Sequence, residues 1–303
     1  MSNTDTCSGS SARRDEPMFA TGSQVSGWIL IEVRGAWGED AIHSSAFGEH
    51  VPAHWKNELK RRNFRAVCIR SHLRTDATDV RLFVCAARRP GSGPTSLWRR
   101  DVASLADVAP TVERLRIDRK PEFGWQRVDE PLILVCTNGR HDQCCANLGR
   151  PLVRALRETQ WAERVWECSH IGGDRFAPNI VVLPDSLYFG RVDLEAAPAL
   201  LSALDLGRID VARFRGRTSF TLVEQAVEYF VRRELNVDAV DGVVIDGRGD
   251  DGAFEVRLGE RVVRVRVQRR LVSVPEPLTC KGTANQLVPA FTLDSITERH
   301  AVQ

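Results

Sequence analysis

Residues 131–145 read PLILVCTNGRHDQCC. The first six form a continuous apolar run, the pattern of a strand covered on both faces. The run ends at Cys136, and eight residues separate it from Cys145, which opens a helical pattern over 145–160. There Leu148, Leu152 and Leu156 recur at four-residue spacing, with Arg150, Arg154 and Arg157 among the polar positions. Asn138-Gly139 supplies a tight turn within the loop. A loop of this length can fold back so that both sulfurs face one point, where the helix N-terminus favours a thiolate. Residues 166–179 then read WECSHIGGDRFAPN. Cys168 and His170 stand two apart on an expected strand over 164–171 and so share a face. Gly172-Gly173 lets the backbone turn close to whatever is bound, and Asp174 follows His170 with three residues between.

Working outward, a strand is expected over 179–183, a turn at Pro184-Asp185-Ser186, a return arm over 187–192 and a helix over about 196–206. Strand–helix–strand followed by strand–strand–helix is the order of an α/β sandwich, compatible with a thioredoxin-like layer and with other α/β sandwiches alike. Upstream, GWILIEVRG (27–35) reads as a strand and 52–64 as a helix with Trp55 and Leu59 on one face. Strand-like runs follow at 65–70, 80–88 and about 96–100, the last two joined by the turn RRPGSGP (88–94). The units 25–120 and 121–212 share a weak strand–helix–strand–strand rhythm, which allows a tandem of two related units without requiring one. The small polar stretch 1–24 has no hydrophobic period and is expected to be a disordered, mobile tail. Residues 213–303 are expected to form a small α+β region: a helix over 219–235 and strands over 240–246, 253–258 and 261–268. RVVRVRVQRR (261–270) alternates arginine with valine, which places several arginines on one strand face. A solvated face is the simpler expectation, and a docking surface for an acidic partner the sharper one.

The chain has 303 residues, 43% hydrophobic and 27% charged, a globular composition with room for more than one core. Its formal net charge of +2 gives no electrostatic case for nucleic acid, and its longest apolar runs are strand-sized, so no membrane span is expected. The opening residues lack the apolar run of a signal peptide, which points to the cytoplasm. In a reducing compartment the eight cysteines are not expected to form a disulfide framework, and the crowding of Cys136, Cys144, Cys145 and Cys168 points to metal or redox chemistry. Sulfur and imidazole ligands from two loops of one sheet suit zinc or an iron–sulfur centre. The chain has no CxxC knuckle, and the wider spacing puts a two-iron cluster ahead of zinc, with inert cysteines as the remaining alternative.

At these residues the sequence resembles the sucrase/ferredoxin-like family, thioredoxin-like [2Fe-2S] proteins. The resemblance rests on the C-x8-C element with its aspartate (Cys136, Asp142, Cys145), on SHxGG (169–173), on RFAxN (175–179) and on the LP…YFGR hairpin (183–191). With GWILIEVRGAWG near the N-terminus it spans roughly 27–206. It implies a [2Fe-2S] cluster held by two cysteines and two histidines, the histidines in an HxGGH element. Carried over residue by residue, Cys136 and Cys145 match the cysteines and His170 the first histidine. Asp174 stands where the second histidine would be. Three residues compete for the fourth place: ligand softness favours the sulfurs of Cys144 and Cys168 and position favours Asp174, with Cys144 slightly ahead.

Arg175 is expected either to offset the negative charge of a cluster or to form a surface ion pair, and His141 with Asp142 to structure the loop. Cys68 and Cys85 lie in apolar strand runs and are expected in the core, whereas Cys280 is either an exposed thiol or a remote ligand. The functional expectation is an electron-transfer protein carrying a [2Fe-2S] cluster and exchanging electrons with a redox partner protein. A cluster-free thiol-redox enzyme is disfavoured by the missing CxxC, and a zinc-binding protein is a further alternative. A carbohydrate hydrolase lacks its aromatic-flanked pair of acids.

Overall fold

The computed structural model describes residues 6–74, 76–93, 96–115, 121 and 123–298. Residues 1–5 of the expected tail, Pro94 of the expected turn, and Lys120 at the expected unit boundary lie outside the described residues. Among the described residues no helix is long and apolar enough to cross a membrane.

The chain is α/β. The first unit runs β1 (Gly27–Glu32), α2 (Trp55–Arg61), β2 (Phe64–Arg70), β3 (Val80–Ala86), β4 (Leu97–Val102), α3 (Val108–Glu113) and β5 (Gln126–Val128), and it is preceded by a short helix, α1 (Cys7–Arg13). The second unit repeats the order as β6 (Leu132–Cys136), α4 (Gln143–Leu156), β7 (Val165–Cys168), β8 (Ile180–Leu183), β9 (Leu187–Phe189), α5 (Ala196–Asp205) and β10 (Phe214–Arg217). In each half the second strand lies parallel to the first, and the third, fourth and fifth follow antiparallel on the other side. The shared rhythm of the sequence is therefore a repeated topology.

The two units do not stand apart as separate sheets. β2 pairs antiparallel with β7, Ile69 opposite Cys168 and Arg70 opposite Glu167, giving one ten-stranded sheet in the order β10-β9-β8-β6-β7-β2-β1-β3-β4-β5. Ser169 N–H donates to Cys68 O (2.8 Å), and Cys68 N–H to Ser169 Oγ (3.1 Å), extending the seam. Joining removes an exposed edge from each half, a feature no local pattern announces.

Alternate residues of the central strands enter different cores, as a period of two requires. Ile29 and Ile31 pack under α2 and α3 with Trp55, Leu59 and Val112, and Ile133 and Val135 pack under α4 and α5 with Leu152, Leu156 and Leu200. Trp28, Leu30, Leu132, Leu134 and Cys136 point the other way into a core shared by both halves. The sheet curls around it, so that Phe83 of β3 meets Trp166 of β7 edge-on, ring centroids 5.4 Å apart, although β2 and β1 lie between them.

The third region holds α6 (Leu222–Leu235) and an antiparallel sheet of β11 (Val244–Arg248), β12 (Phe254–Leu258), β13 (Arg261–Val274) and β14 (Gln286–Glu298). Neither β14 nor the short β5 and β10 was anticipated, and β13 continues well past 268 to form a long hairpin with β14. The arginine face of β13 is met by an acid, Arg264 and Arg266 both binding Asp251 (2.8 and 2.7 Å), while Arg261, at the start of the strand and on the other face, binds Glu298 (2.5 Å). The region is fastened to the second unit by a buried ion group, in which Glu228 of α6 accepts from Arg217 of β10 (3.1 Å) and Arg232 (2.9 Å).

The segment expected to be a mobile tail is ordered from Thr6 onward. α1 buries Cys7, Ser8 and Ser11, small residues that carry no hydrophobic period, which is why composition alone read the stretch as a tail. Its anchors are arginines far along the chain. Arg175 binds Glu16 (2.8 Å), Arg191 binds Ser11 O and Glu16 O (both 3.0 Å), and Arg215 binds Thr21 O (2.8 Å).

Candidate metal centre

The centre lies at the C-terminal ends of β6 and β7, where a parallel pair delivers its loops to one edge. The Asp142 carboxylate accepts from Cys144 N–H (2.9 Å) and so caps α4, which starts at Gln143 rather than at Cys145. Both Cys144 and Cys145 thereby enter the first helical turn, where consecutive side chains diverge by about 100°. Gly149, one face along, lets α4 approach β6 closely: a Cβ there would fall 2.1 Å from Cys136 O.

Cys145 faces Cys136, with which it hydrogen-bonds, and its thiol also donates to Asp174 Oδ1 (3.2 Å). The Asp174 carboxylate also meets two imidazoles: His170 Nδ1 lies 3.0 Å from Oδ1, and His141 Nε2 lies 3.6 Å from Oδ2. The two rings stack with centroids 3.6 Å apart. His170 Nδ1 and Asp174 Oδ2 are buried polar atoms with no hydrogen-bond partner.

The segment carrying His170 and Asp174 is clamped carbonyl by carbonyl. Arg65 of β2 donates to His170 O (2.9 Å), Tyr188 Oη to Ile171 O (2.9 Å), Arg215 to Gly172 O (3.0 Å) and Asn179 Nδ2 to Gly173 O (2.8 Å). Gly172 and Gly173 adopt positive φ (97° and 82°), and a Cβ on Gly173 would strike the Arg215 guanidinium. The donor atoms are thus held in place by the fold rather than gathered by a ligand.

Electrostatics follow from burial and contact. The hydrogen bond with Cys136, together with desolvation, pushes the Cys145 thiol far above its usual value. Desolvation lowers His170, only partly offset by Asp174, which favours the neutral imidazole. Burial alone would raise Asp174, but the contacts with His170, Cys145 and His141 outweigh it and hold the carboxyl below its usual value. His141 and His170 also line a cleft of about 770 Å³ together with Lys56, Arg65 and Asp40, which opens this edge of the centre to solvent.

The remaining candidates lie elsewhere. Cys168 is the cross-strand neighbour of Cys136, but it is fully buried in the shared core, where desolvation drives its thiol well above the usual value. Cys144 turns away from Cys145 and joins Cys7, Cys280 and Asp142, four residues whose ligand atoms all lie within 4.8 Å of one another. This cysteine–aspartate group can hold a metal ion, as can His141, His170 and Asp174. Hydrogen bonds from Cys7 and Ser8 bring the Cys144 thiol down to about 6 against the effect of burial. Cys68 and Cys85 are core residues, and Arg175 is committed to Glu16. Asp142 structures the loop as expected, whereas His141 faces the centre; its position five residues after Cys136, inside the same loop, was the available signal. Cys7 gave only its isolation in a polar stretch.

A C-x8-C loop and an HIGGD segment thus meet at one end of a parallel strand pair in a repeated α/β sheet. The chain matches the sucrase/ferredoxin-like family over residues 18–216, and it belongs to that family. Over 114 residues it is 34% identical to altered inheritance of mitochondria protein 32 of Eremothecium gossypii, an alignment covering 33% of this chain and 36% of that relative. No solved structure matches the chain.

Proposed function

We propose that the protein is an electron carrier that binds a [2Fe-2S] cluster through Cys136 and Cys145 on one side and His170 and Asp174 on the other. The observation that carries this reading is the convergence of two buried thiols, an imidazole and a carboxylate at one strand edge, with His170 Nδ1 and Asp174 Oδ2 lacking hydrogen-bond partners. Two sulfurs with harder nitrogen and oxygen donors are a chemically competent set for such a centre. When bound, the cluster supplies one-electron transfer.

The residues of the chain account for the rest. Cys136 and Cys145 release their protons on ligation, which relieves the crowding that otherwise keeps the Cys145 thiol protonated. Burial favours the neutral imidazole of His170, the form a ligand needs, and the contacts of Asp174 with His170, Cys145 and His141 favour its ionised carboxylate. Asp174 is preferred as the fourth ligand because it meets His170 and Cys145 directly, whereas Cys144 and Cys168 face other surroundings. His141 and His170 form the solvent-facing edge on the cleft, the side on which a redox partner protein would approach.

The test is the absorption spectrum of freshly purified protein with iron and acid-labile sulfide analysis. A red-brown protein with visible bands and matching iron and sulfide is expected. A colourless protein free of iron and sulfide, made under iron-replete conditions, would refute the proposal.

A further inference from the structure

We propose a second, separate metal site: a zinc ion bound by Cys7, Cys144 and Cys280 with the Asp142 carboxylate at the fourth corner. Three thiols from remote segments meet here: Cys7 from α1, Cys144 from α4, and Cys280 from the loop between β13 and β14. Their sulfurs form a triangle with edges of 3.6 Å (Cys7–Cys144), 3.3 Å (Cys144–Cys280) and 3.5 Å (Cys280–Cys7). A tetrahedral ion with sulfur ligands at about 2.3 Å sets its sulfurs about 3.8 Å apart, so a small outward movement of each thiol admits it. A disulfide would use two of the three sulfurs at about 2.05 Å and leave the third without a partner.

The fourth corner is built as well. Asp142 Oδ1 and Oδ2 lie 3.9 and 3.8 Å from Cys7 Sγ. The same oxygens accept from Cys144 N–H (2.9 Å) and Cys280 N–H (2.6 Å), which orients the carboxylate while leaving a lone pair on each oxygen for a cation. Ser8 Oγ donates to Cys144 Sγ (3.2 Å), the outer hydrogen bond expected of a ligand thiolate. Cys7, Cys144 and Asp142 are buried and Cys280 is half-buried. Three soft donors and a carboxylate in so compact a triangle match one zinc ion and leave no room for the spread of a two-iron cluster. Each thiol gives up its proton on binding.

Such a site would tie the N-terminal segment and the long C-terminal hairpin to the first turn of α4. That turn also carries Cys145, so the zinc site would brace the proposed cluster loop without supplying a ligand to it.

The test measures zinc and iron separately in full-length protein expressed with both metals supplied. About one zinc per chain is expected. Cys7→Ser and Cys280→Ser should each lower zinc at least about tenfold with iron and sulfide largely retained, and Cys136→Ser should do the reverse. Zinc retained in both Cys7→Ser and Cys280→Ser overturns the proposal, whatever the iron content. Should those variants fail to fold, Co2+ added to chelator-treated Cys136→Ser protein decides the matter. Sulfur-to-cobalt charge transfer with the strong visible bands of a tetrahedral ion supports the site, and a thiolate-free octahedral spectrum overturns it. A Cys144–Cys280 disulfide in protein purified anaerobically overturns it too.

Discussion

Cys144 and Cys145 are consecutive in the first turn of α4, and their sulfurs serve different neighbours: Cys145 Sγ donates to Asp174 Oδ1 at 3.2 Å, and Cys144 Sγ touches Cys280 Sγ at 3.3 Å. The pair is a branch point, set by the rotation of about 100° between successive helical residues. One thiol belongs to the β6–β7 edge and the other to a group shared with α1 and the β13–β14 loop.

This division makes the two thiols separable by substitution. Cys136→Ser and Cys145→Ser should each reduce iron and acid-labile sulfide at least about tenfold. Cys144→Ser and Cys68→Ser should keep most of both. Full iron occupancy in Cys145→Ala would transfer the assignment to Cys144.

The fourth ligand can be read by electron paramagnetic resonance of the reduced protein. Asp174→Ala should lose the signal or shift its g-values strongly, because Asp174 is the carboxylate in contact with both His170 and Cys145. Cys144→Ala and Cys168→Ala should stay close to the parent. A parent-like spectrum from Asp174→Ala combined with loss in His141→Ala would move the role to His141, whose Nε2 is 3.6 Å from Asp174.

Gly149→Ala tests how closely α4 must approach β6. The added Cβ would lie 2.1 Å from Cys136 O, a backbone atom that cannot swing aside, so the helix must shift. A loss of about 1–3 kcal/mol in urea unfolding is expected, together with lower iron content because Cys145 moves with the helix. Parent-like stability and iron content would contradict the close packing described.

Glu224 of α6 connects the third region to the first unit by binding Arg89 (2.5 Å) while capping its own helix through Thr221. Burial opposes ionisation, but Arg89 and Thr221 outweigh it and lower the carboxyl below its usual value. A depressed carboxylate contributes stability above the unfolded pKa of about 4.3, and that contribution fades as pH falls through the lower folded value. Glu224→Gln should therefore cost about 1 kcal/mol at pH 7, and the gap between parent and variant should close in strongly acid solution. A gap independent of pH would show that charge is not the cause.

Much of this protein is written locally. The apolar runs at Trp28–Ile31 and Leu132–Cys136, the leucine spacing of α4 and the Gly172-Gly173 turn act through neighbours in the chain, so strands, helices and the C-x8-C loop were legible before any fold was seen. The same holds for the α/β order and for the family, whose motifs are contiguous stretches. His170 and Asp174 stood out through their motif, but β7 stops at Cys168, so His170 lies in the loop beyond it on the cleft and does not share a strand face with Cys168, which is buried in the core.

What local pattern could not carry is anything decided between remote segments. β2 and β7 join two units into one sheet because each offers an unpaired edge, and edge pairing depends on backbone hydrogen bonds that every residue but proline can make. The N-terminal segment is ordered by Arg175, Arg191 and Arg215, whose partners lie more than 150 residues away in the chain. The gathering of Cys7, Cys144 and Cys280 is of the same kind. The sequence by itself determined which residue types could bind a metal. Which of them share a site was decided only by tertiary structure, because a helical turn separates adjacent thiols while folding brings together thiols 273 residues apart.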